Sequence, residues 1–281
     1  MKITALAPWF GSKRTLAPRV VEALGPHRVY WEPFCGSMAV LLAKESCVME
    51  TVNDLHGELI NLARVLKSEE TAVELYGRVA RFVFHEGLFE EARERYLSGS
   101  DRCPVDRAED YMIVSWFGRN GVAGTASNNG GFCVRYTANG GHAATRWKSA
   151  VASIPDWHHR LRNVTILQRD GIEIIDKIGD DDGAAIYCDP PYLVKGAKYV
   201  HDFAISDHDR LAEALRRFTK ARVVVSYYDH PRLAELYPGW TKIDCTMTKS
   251  LVSQGQRGKT GEKIEAPEVL LVNDEDAPLF A

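Results

Sequence analysis

Two consecutive prolines after an apolar run constrain this chain more than any other feature. The stretch is Ala184-Ala185-Ile186-Tyr187-Cys188-Asp189-Pro190-Pro191-Tyr192. It reads as a buried strand that must stop where the prolines begin, because neither can donate to a sheet ladder and each restricts the residue before it. A carboxylate and an aromatic ring are therefore held just beyond a strand end, where open α/β sheets bind their ligands. That arrangement suits a planar ring bearing an amine: Asp189 and a backbone carbonyl accept its N–H hydrogens while Tyr192 stacks on its face. Asp189, Pro190, Pro191 and Tyr192 form the candidate reaction centre.

A chain of 281 residues with 45% hydrophobic composition can build one large α/β domain with an insertion, or two smaller domains. Its net charge of −3 carries no global basic signature, so any contact with nucleic acid rests on local patches. The six cysteines are scattered without C-x-x-C spacing. With no secretory leader and no apolar run of about 18 residues, the expectation is a cytoplasmic protein with reduced thiols and no membrane association. The histidines are dispersed without ligand spacing, so neither a zinc ribbon nor a catalytic metal is expected.

Near the start, Trp9-Phe10-Gly11-Ser12-Lys13 precedes a helix whose apolar face includes Leu16, Val20 and Leu24. A turn at Gly11 bringing Trp9 and Lys13 together offers a ligand an aromatic wall and a cation; a buried Trp beside a solvated Lys is the plainer alternative. Next, an aromatic strand runs through Glu32-Pro33-Phe34-Cys35-Gly36-Ser37 into a helix over residues 39–44. Strand, glycine turn and helix make the first half of a nucleotide-binding unit. The following strand, residues 48–52, ends in Asn53-Asp54, about 18 residues beyond Gly36, where a carboxylate accepts hydrogen bonds from ribose hydroxyls. No G-x-x-x-x-G-K-[ST] cradle occurs, which points to a nucleoside without a phosphate chain. After a helix around residues 147–161, a third strand, residues 164–167, delivers Asp170-Gly171. Asp54, Asp170 and Asp189 thus each follow a short apolar strand. Singly each reads as a helix N-cap or turn residue, but together they suit one crevice.

Residues 56–117 read as helices, and charges such as Glu69, Arg78, Glu90 and Arg95 read as their solvated faces. Residues 118–146 are glycine- and amide-rich, with no acidic residue between Arg119 and Pro155. Arg119, Asn120, Arg135 and Tyr136 suit contacts with base edges and phosphates, although an ordinary polar surface loop fits the composition equally. The tract 248–263 is a second basic loop, and the polar, aromatic residues 193–203 suit closure over a bound base. A helix beginning with Ser206 as N-cap and Asp209 three residues on is expected after it.

These signatures, in this order, resemble the Dam-like (D12 class) DNA adenine-N6 methyltransferases: Trp9-Phe10-Gly11-Ser12-Lys13, Glu32-Pro33-Phe34-Cys35-Gly36-Ser37, Asn53-Asp54, an insertion, then Asp189-Pro190-Pro191-Tyr192. The resemblance spans nearly the whole chain. It implies an α/β, Rossmann-like methyltransferase sheet with an antiparallel strand, in which residues 1–60 and 160–281 are catalytic and the largely helical residues 61–159 recognise the target. It also implies S-adenosylmethionine, held by Trp9, Gly11, Lys13, Phe34, Gly36, Ser37, Asp54, Asp170, Gly171 and Asp189. The partner it implies is double-stranded DNA with the target adenine turned out of the duplex. Two departures stand out: Met38 occupies the position of the usual third glycine, and Pro8 replaces the lysine common in GATC readers, so GATC is not carried over. A methyltransferase acting on RNA or another amino group, and a DNA-binding module with a decayed core, are the rival readings.

Overall fold

The computed structural model describes residues 5–9, 11–99, 101–118, 131–134, 142–193, 203–248 and 265–274. Its centre is a seven-stranded sheet. The strands are β1 (Val29–Glu32), β2 (Met49–Asn53), β3 (Thr165–Leu167), β4 (Ala184–Cys188), β5 (Arg222–Tyr228), β6 (Thr241–Asp244) and β7 (Glu268–Val272). They lie in the order β3-β2-β1-β4-β5-β7-β6. The first five run parallel, while β7 is inserted antiparallel to both neighbours. Strand order therefore reverses between β1 and β4, and the crevice at that switch opens beside the carboxyl ends of both.

Period-2 patterning explains why the sheet is buried on both faces. Ala185, Tyr187, Val224 and Leu270 point into one core, whereas Ile186, Cys188, Val223, Val225 and Leu271 point into the other. The first core is covered by α1 (Ala17–Leu24) and α2 (Ala39–Ala43), together with the helices between β2 and β3: α3 (Gly57–Lys67), α4 (Glu69–Val79), α5 (Glu86–Leu97), α6 (Pro104–Phe117), α7 (Ala143–Ala152) and α8 (Ile154–Leu161). On the second lie α9 (Gly171–Ile175), α10 (Ile205–Arg216) and α11 (Leu233–Leu236). Residues 61 and 159, the expected limits of the insertion, fall inside α3 and α8.

Three local expectations change. The N-cap of α10 is Ala204, two residues before Ser206; Asp207 accepts its backbone N–H at 2.8 Å, so the carboxylate that closes the first turn is Asp207, not Asp209. The single helix expected over residues 147–161 is two, separated at Ser153, with Pro155 in the first turn of α8. Arg95 does not belong to a purely solvated face either: it pairs at 2.8 Å with Asp110, which is 1% exposed and also receives Arg102. A lone carboxylate at that depth would be costly, and the guanidiniums supply its compensation.

Candidate active site

The cleft forms where four strand ends meet. β1 ends in Glu32, and the turn beyond it carries Phe34 and Gly36; β2 delivers Asp54, β3 delivers Asp170 and β4 delivers Asp189. A cleft of about 890 Å³, its open mouth included, is lined by Trp9, Phe34, Gly36, Asp54, Asp170, Gly171, Asp189 and Pro191. A smaller adjoining cavity is lined by Gly11, Lys13, Ser37 and Glu32, with Asp189 on the boundary of both. All ten residues expected at the cofactor therefore lie on one of these two connected walls.

Asp54 organises the first turn. Its Oδ2 accepts the Gly36 N–H at 2.8 Å and its Oδ1 the His56 N–H at 2.9 Å, tying the glycine turn to the start of α3. A carboxylate has about four lone-pair sites, so acceptor capacity remains toward the cleft. Asp170 is the N-cap of α9, its Oδ1 receiving the N–H groups of Ile172 and Glu173 at 2.9 and 3.0 Å. The capping role that a lone Asp suggests and a position on the cleft wall thus coexist. Asn53, one residue before Asp54, joins the two neighbouring strand ends: its Nδ2 donates to the Pro33 and Arg169 carbonyls, both at 2.9 Å, and its Oδ1 accepts the Arg169 N–H at 2.8 Å.

Both glycines are required by close approach. Gly36 adopts φ +43°, and a Cβ there would fall 2.8 Å from the Trp9 indole nitrogen. A Cβ on Gly171 would fall 2.6 Å from Phe34 Cζ. The aromatic rings rest directly on glycine backbone, which explains how two rings and two carboxylates fit around one cleft. Met38, in place of the third glycine, adopts the left-handed conformation at φ 58° while its side chain is fully buried.

At the end of β4, Asp189 Oδ1 receives the Ser226 hydroxyl at 2.8 Å and lies 3.0 Å from Lys13 Nζ. Burial works against the charge of Lys13, but Asp189 and Glu268 outweigh it and hold its pKa above that of an ordinary lysine. Pro190 is buried and Pro191 half-buried. Tyr192 is 8% exposed; its hydroxyl donates to Glu268 Oε2 at 2.8 Å, and Lys13 Nζ sits 4.9 Å from its ring centroid. Burial, followed by the charges of Asp189 and Glu268, pushes the Tyr192 phenol well above its usual pKa.

Sequence reasoning missed Ser226, Glu268 and Glu32 as members of this cluster. Each had a signal, a polar residue in an otherwise apolar strand: Val223-Val224-Val225-Ser226, Glu268-Val269-Leu270-Leu271 and Val29-Tyr30-Trp31-Glu32. Glu32 accepts the Tyr30 hydroxyl at 2.9 Å, and burial raises its pKa to about 8. Arg119, Asn120, Arg135 and Tyr136 lie outside the described residues, as do Lys195, Lys198, Tyr199, His201 and most of the basic tract 248–263. Among the described residues no metal-holding cluster occurs, and no helix is long and apolar enough to cross a membrane. All six cysteines are unpaired.

The donor set fits a nucleoside: strand-end carboxylates for hydroxyl and amino groups, and rings of Trp9, Phe34 and Phe203 for a purine face. Beside it, the Asp189 carboxylate lines both the cleft and the smaller cavity. The family described as D12 class N6 adenine-specific DNA methyltransferase matches this chain over residues 9–254. No curated protein matches it. Among solved structures, the precorrin 8w decarboxylase of Methanobacterium thermoautotrophicum aligns with 92% of this chain and 87% of its own, at 11% identity and a TM-score of 0.36.

Proposed function

The chain belongs to the D12 class N6 adenine-specific DNA methyltransferases, and from that premise we propose how its residues divide the work. S-adenosylmethionine is the cofactor, and when bound it supplies an electrophilic methyl on a sulfonium sulfur. Asp54 and Asp170 hold its nucleoside part between the Trp9 and Phe34 walls, and the turn of Gly36 and Ser37, with Gly11 and Lys13, holds its amino-acid part. Gly171 leaves room for Phe34.

The substrate is an adenine turned out of double-stranded DNA, since N6 cannot be reached within the stack. Its N6 lone pair is delocalised into the ring and is a poor nucleophile. Asp189 and the Pro190 carbonyl accept the two N6 hydrogens, which favours the pyramidal nitrogen and aims its lone pair. Asp189 then holds the proton that N6 sheds. Pro191 stiffens the turn, and Tyr192 offers its ring to the base. No residue here needs to become a covalent nucleophile.

Residues 61–159 act as the target-recognition insertion, with Arg119, Asn120, Arg135 and Tyr136 as DNA contacts. Support comes from the described residues that flank them: Gly118 pairs with Phe132, and the Cys133 N–H donates to the Phe117 carbonyl at 2.9 Å, at the C-terminal end of α6.

The observation that carries this reading is the position of Asp189, at a proline-terminated strand end on the boundary of both cavities. Labelled S-adenosylmethionine should deliver its methyl to adenine in duplex DNA and not to RNA. Asp189→Ala should abolish transfer while sparing most DNA affinity; an active Asp189→Ala enzyme, or methylation of RNA alone, refutes the assignment.

A further inference from the structure

Resting on the reading of Asp189 as acceptor of the N6 hydrogens, we propose that Glu268 is a positioning residue for methyl transfer: it receives Lys13 when the extruded base takes Asp189, and it holds the Tyr192 ring meanwhile. Lys13 occupies two of the three contacts intended for the base, Asp189 and the Tyr192 ring. Its ammonium lies 3.0 Å from Asp189 Oδ1 and 4.9 Å from the Tyr192 ring centroid. An amine on a carboxylate beside an aromatic ring is also what the adenine would present, so the lysine stands in the base's place and must move for the base to bind.

Displacing a buried ammonium without a partner is costly. Lys13 is 6% exposed, and the Gly11 carbonyl, at 3.0 Å, offers it an acceptor but no countercharge. Of the described side chains acting on Lys13 other than Asp189, Glu268 is the carboxylate that supplies a countercharge, whether or not the cofactor's amino-acid part is bound. Its Oε1 lies 3.9 Å from Lys13 Nζ, so a shift of roughly 1 Å converts a loose ion pair into a hydrogen-bonded one. Its other oxygen, Oε2, already accepts the Tyr192 hydroxyl. One carboxylate thus takes the displaced cation on one oxygen and keeps the ring fixed with the other.

The carboxylate can serve as a fixed point because its backbone is held from both sides. Glu268 begins β7, opposite Tyr228 of β5 in the antiparallel register, and its carbonyl accepts the Cys245 N–H at 2.8 Å. The antiparallel strand therefore contributes to the reaction centre a second carboxylate within reach of Lys13, beside the Asp189 of a parallel strand end. Ser226, also on β5, stays on Asp189 Oδ1 and keeps that carboxylate oriented once Lys13 has left.

Charge and hydrogen bonding are separated by substitution. Glu268→Gln keeps an acceptor for the Tyr192 hydroxyl but cannot neutralise Lys13. With genomic DNA lacking N6-methyladenine as substrate, it should lower kcat about tenfold or more, leaving KM for S-adenosylmethionine within about twofold. Glu268→Asp, which retains the charge, should recover most of that loss, and Tyr192→Phe, which removes only the hydroxyl, should cost less than Glu268→Gln. A Glu268→Gln enzyme with wild-type kcat, or a Glu268→Asp enzyme as slow as Glu268→Gln, overturns the proposal. Should Glu268→Gln fail to fold, a crystal structure of the wild type on a duplex bearing its mapped target decides: Lys13 must lie on Glu268, and Lys13 still on Asp189 refutes it. A wild-type enzyme that transfers no methyl to DNA adenine would instead remove the functional reading beneath it.

Discussion

Gly171→Ala separates the requirements of the cofactor cleft from those of the fold. Gly171 opens α9, and its backbone has no positive φ, so an alanine meets no torsional penalty there. By helix propensity alone the change is favourable by up to about 1 kcal/mol. The obstacle is Phe34, whose Cζ and Cε1 would lie 2.6 and 2.7 Å from the new Cβ. Carbon pairs settle near 3.5–4.0 Å, so the ring must retreat by roughly 1 Å. Phe34 stands on the cleft wall with Phe203 edge-on at 6.0 Å, and retreat carries it toward the space a purine would use. The expected result is a melting temperature within about 2 °C of wild type and binding of S-adenosylmethionine weakened about tenfold, or 1.4 kcal/mol. Calorimetric titration paired with thermal unfolding measures both. Unchanged affinity with a lowered melting temperature would mean that the ring retreats into the core, and would refute the placement of Phe34 at the cofactor.

Two further predictions concern buried residues at the start of α2 and the end of β1. Met38→Gly relieves a left-handed residue of about 1–2 kcal/mol of strain but deletes a fully buried side chain worth about 2–5 kcal/mol, so its denaturation midpoint should fall; a rise would show that strain outweighs burial. Glu32, its pKa raised to about 8 chiefly by burial, binds its proton more tightly folded than unfolded. Stability from this group is present below the unfolded value near 4.5 and is lost as pH climbs through about 8, by an amount of order a few kcal/mol. Urea unfolding of the wild type should therefore weaken between pH 5 and about pH 8 more steeply than that of Glu32→Gln, and parallel pH slopes would exclude the buried acid as the cause.

What was legible in the sequence follows from what is local in the chain. A strand followed by Asp189-Pro190-Pro191 declares its end through backbone chemistry alone, and the same holds for Gly36 with its positive φ. The repetition of an acid after each of three apolar strands located the crevice, because parallel strands bring all their carboxyl ends to one edge. What stayed hidden depends on neighbours set by sheet order. Glu268 is 76 residues from Tyr192 and meets it because β7 is inserted antiparallel beside β5, next to β4. Nothing in the residues around either position encodes that insertion.

The same distinction explains why Tyr192 was only half readable. Its position beyond a proline turn fixed where the ring starts, and chemistry suggested a stacking surface, but the partners of the ring come from three distant segments. Lys13 precedes α1, Tyr228 ends β5 with its ring 4.6 Å away, and Glu268 begins β7. A phenol bonded to a buried carboxylate beside a buried ammonium is held too strongly to be a passive wall. Its neighbours form one charge-balancing unit, in which moving the lysine changes what Asp189 can accept and what Glu268 must neutralise. In the proposed reaction the motif at the end of β4 supplies the groups that face the base, and the carboxylate of the antiparallel strand governs when they are free to do so.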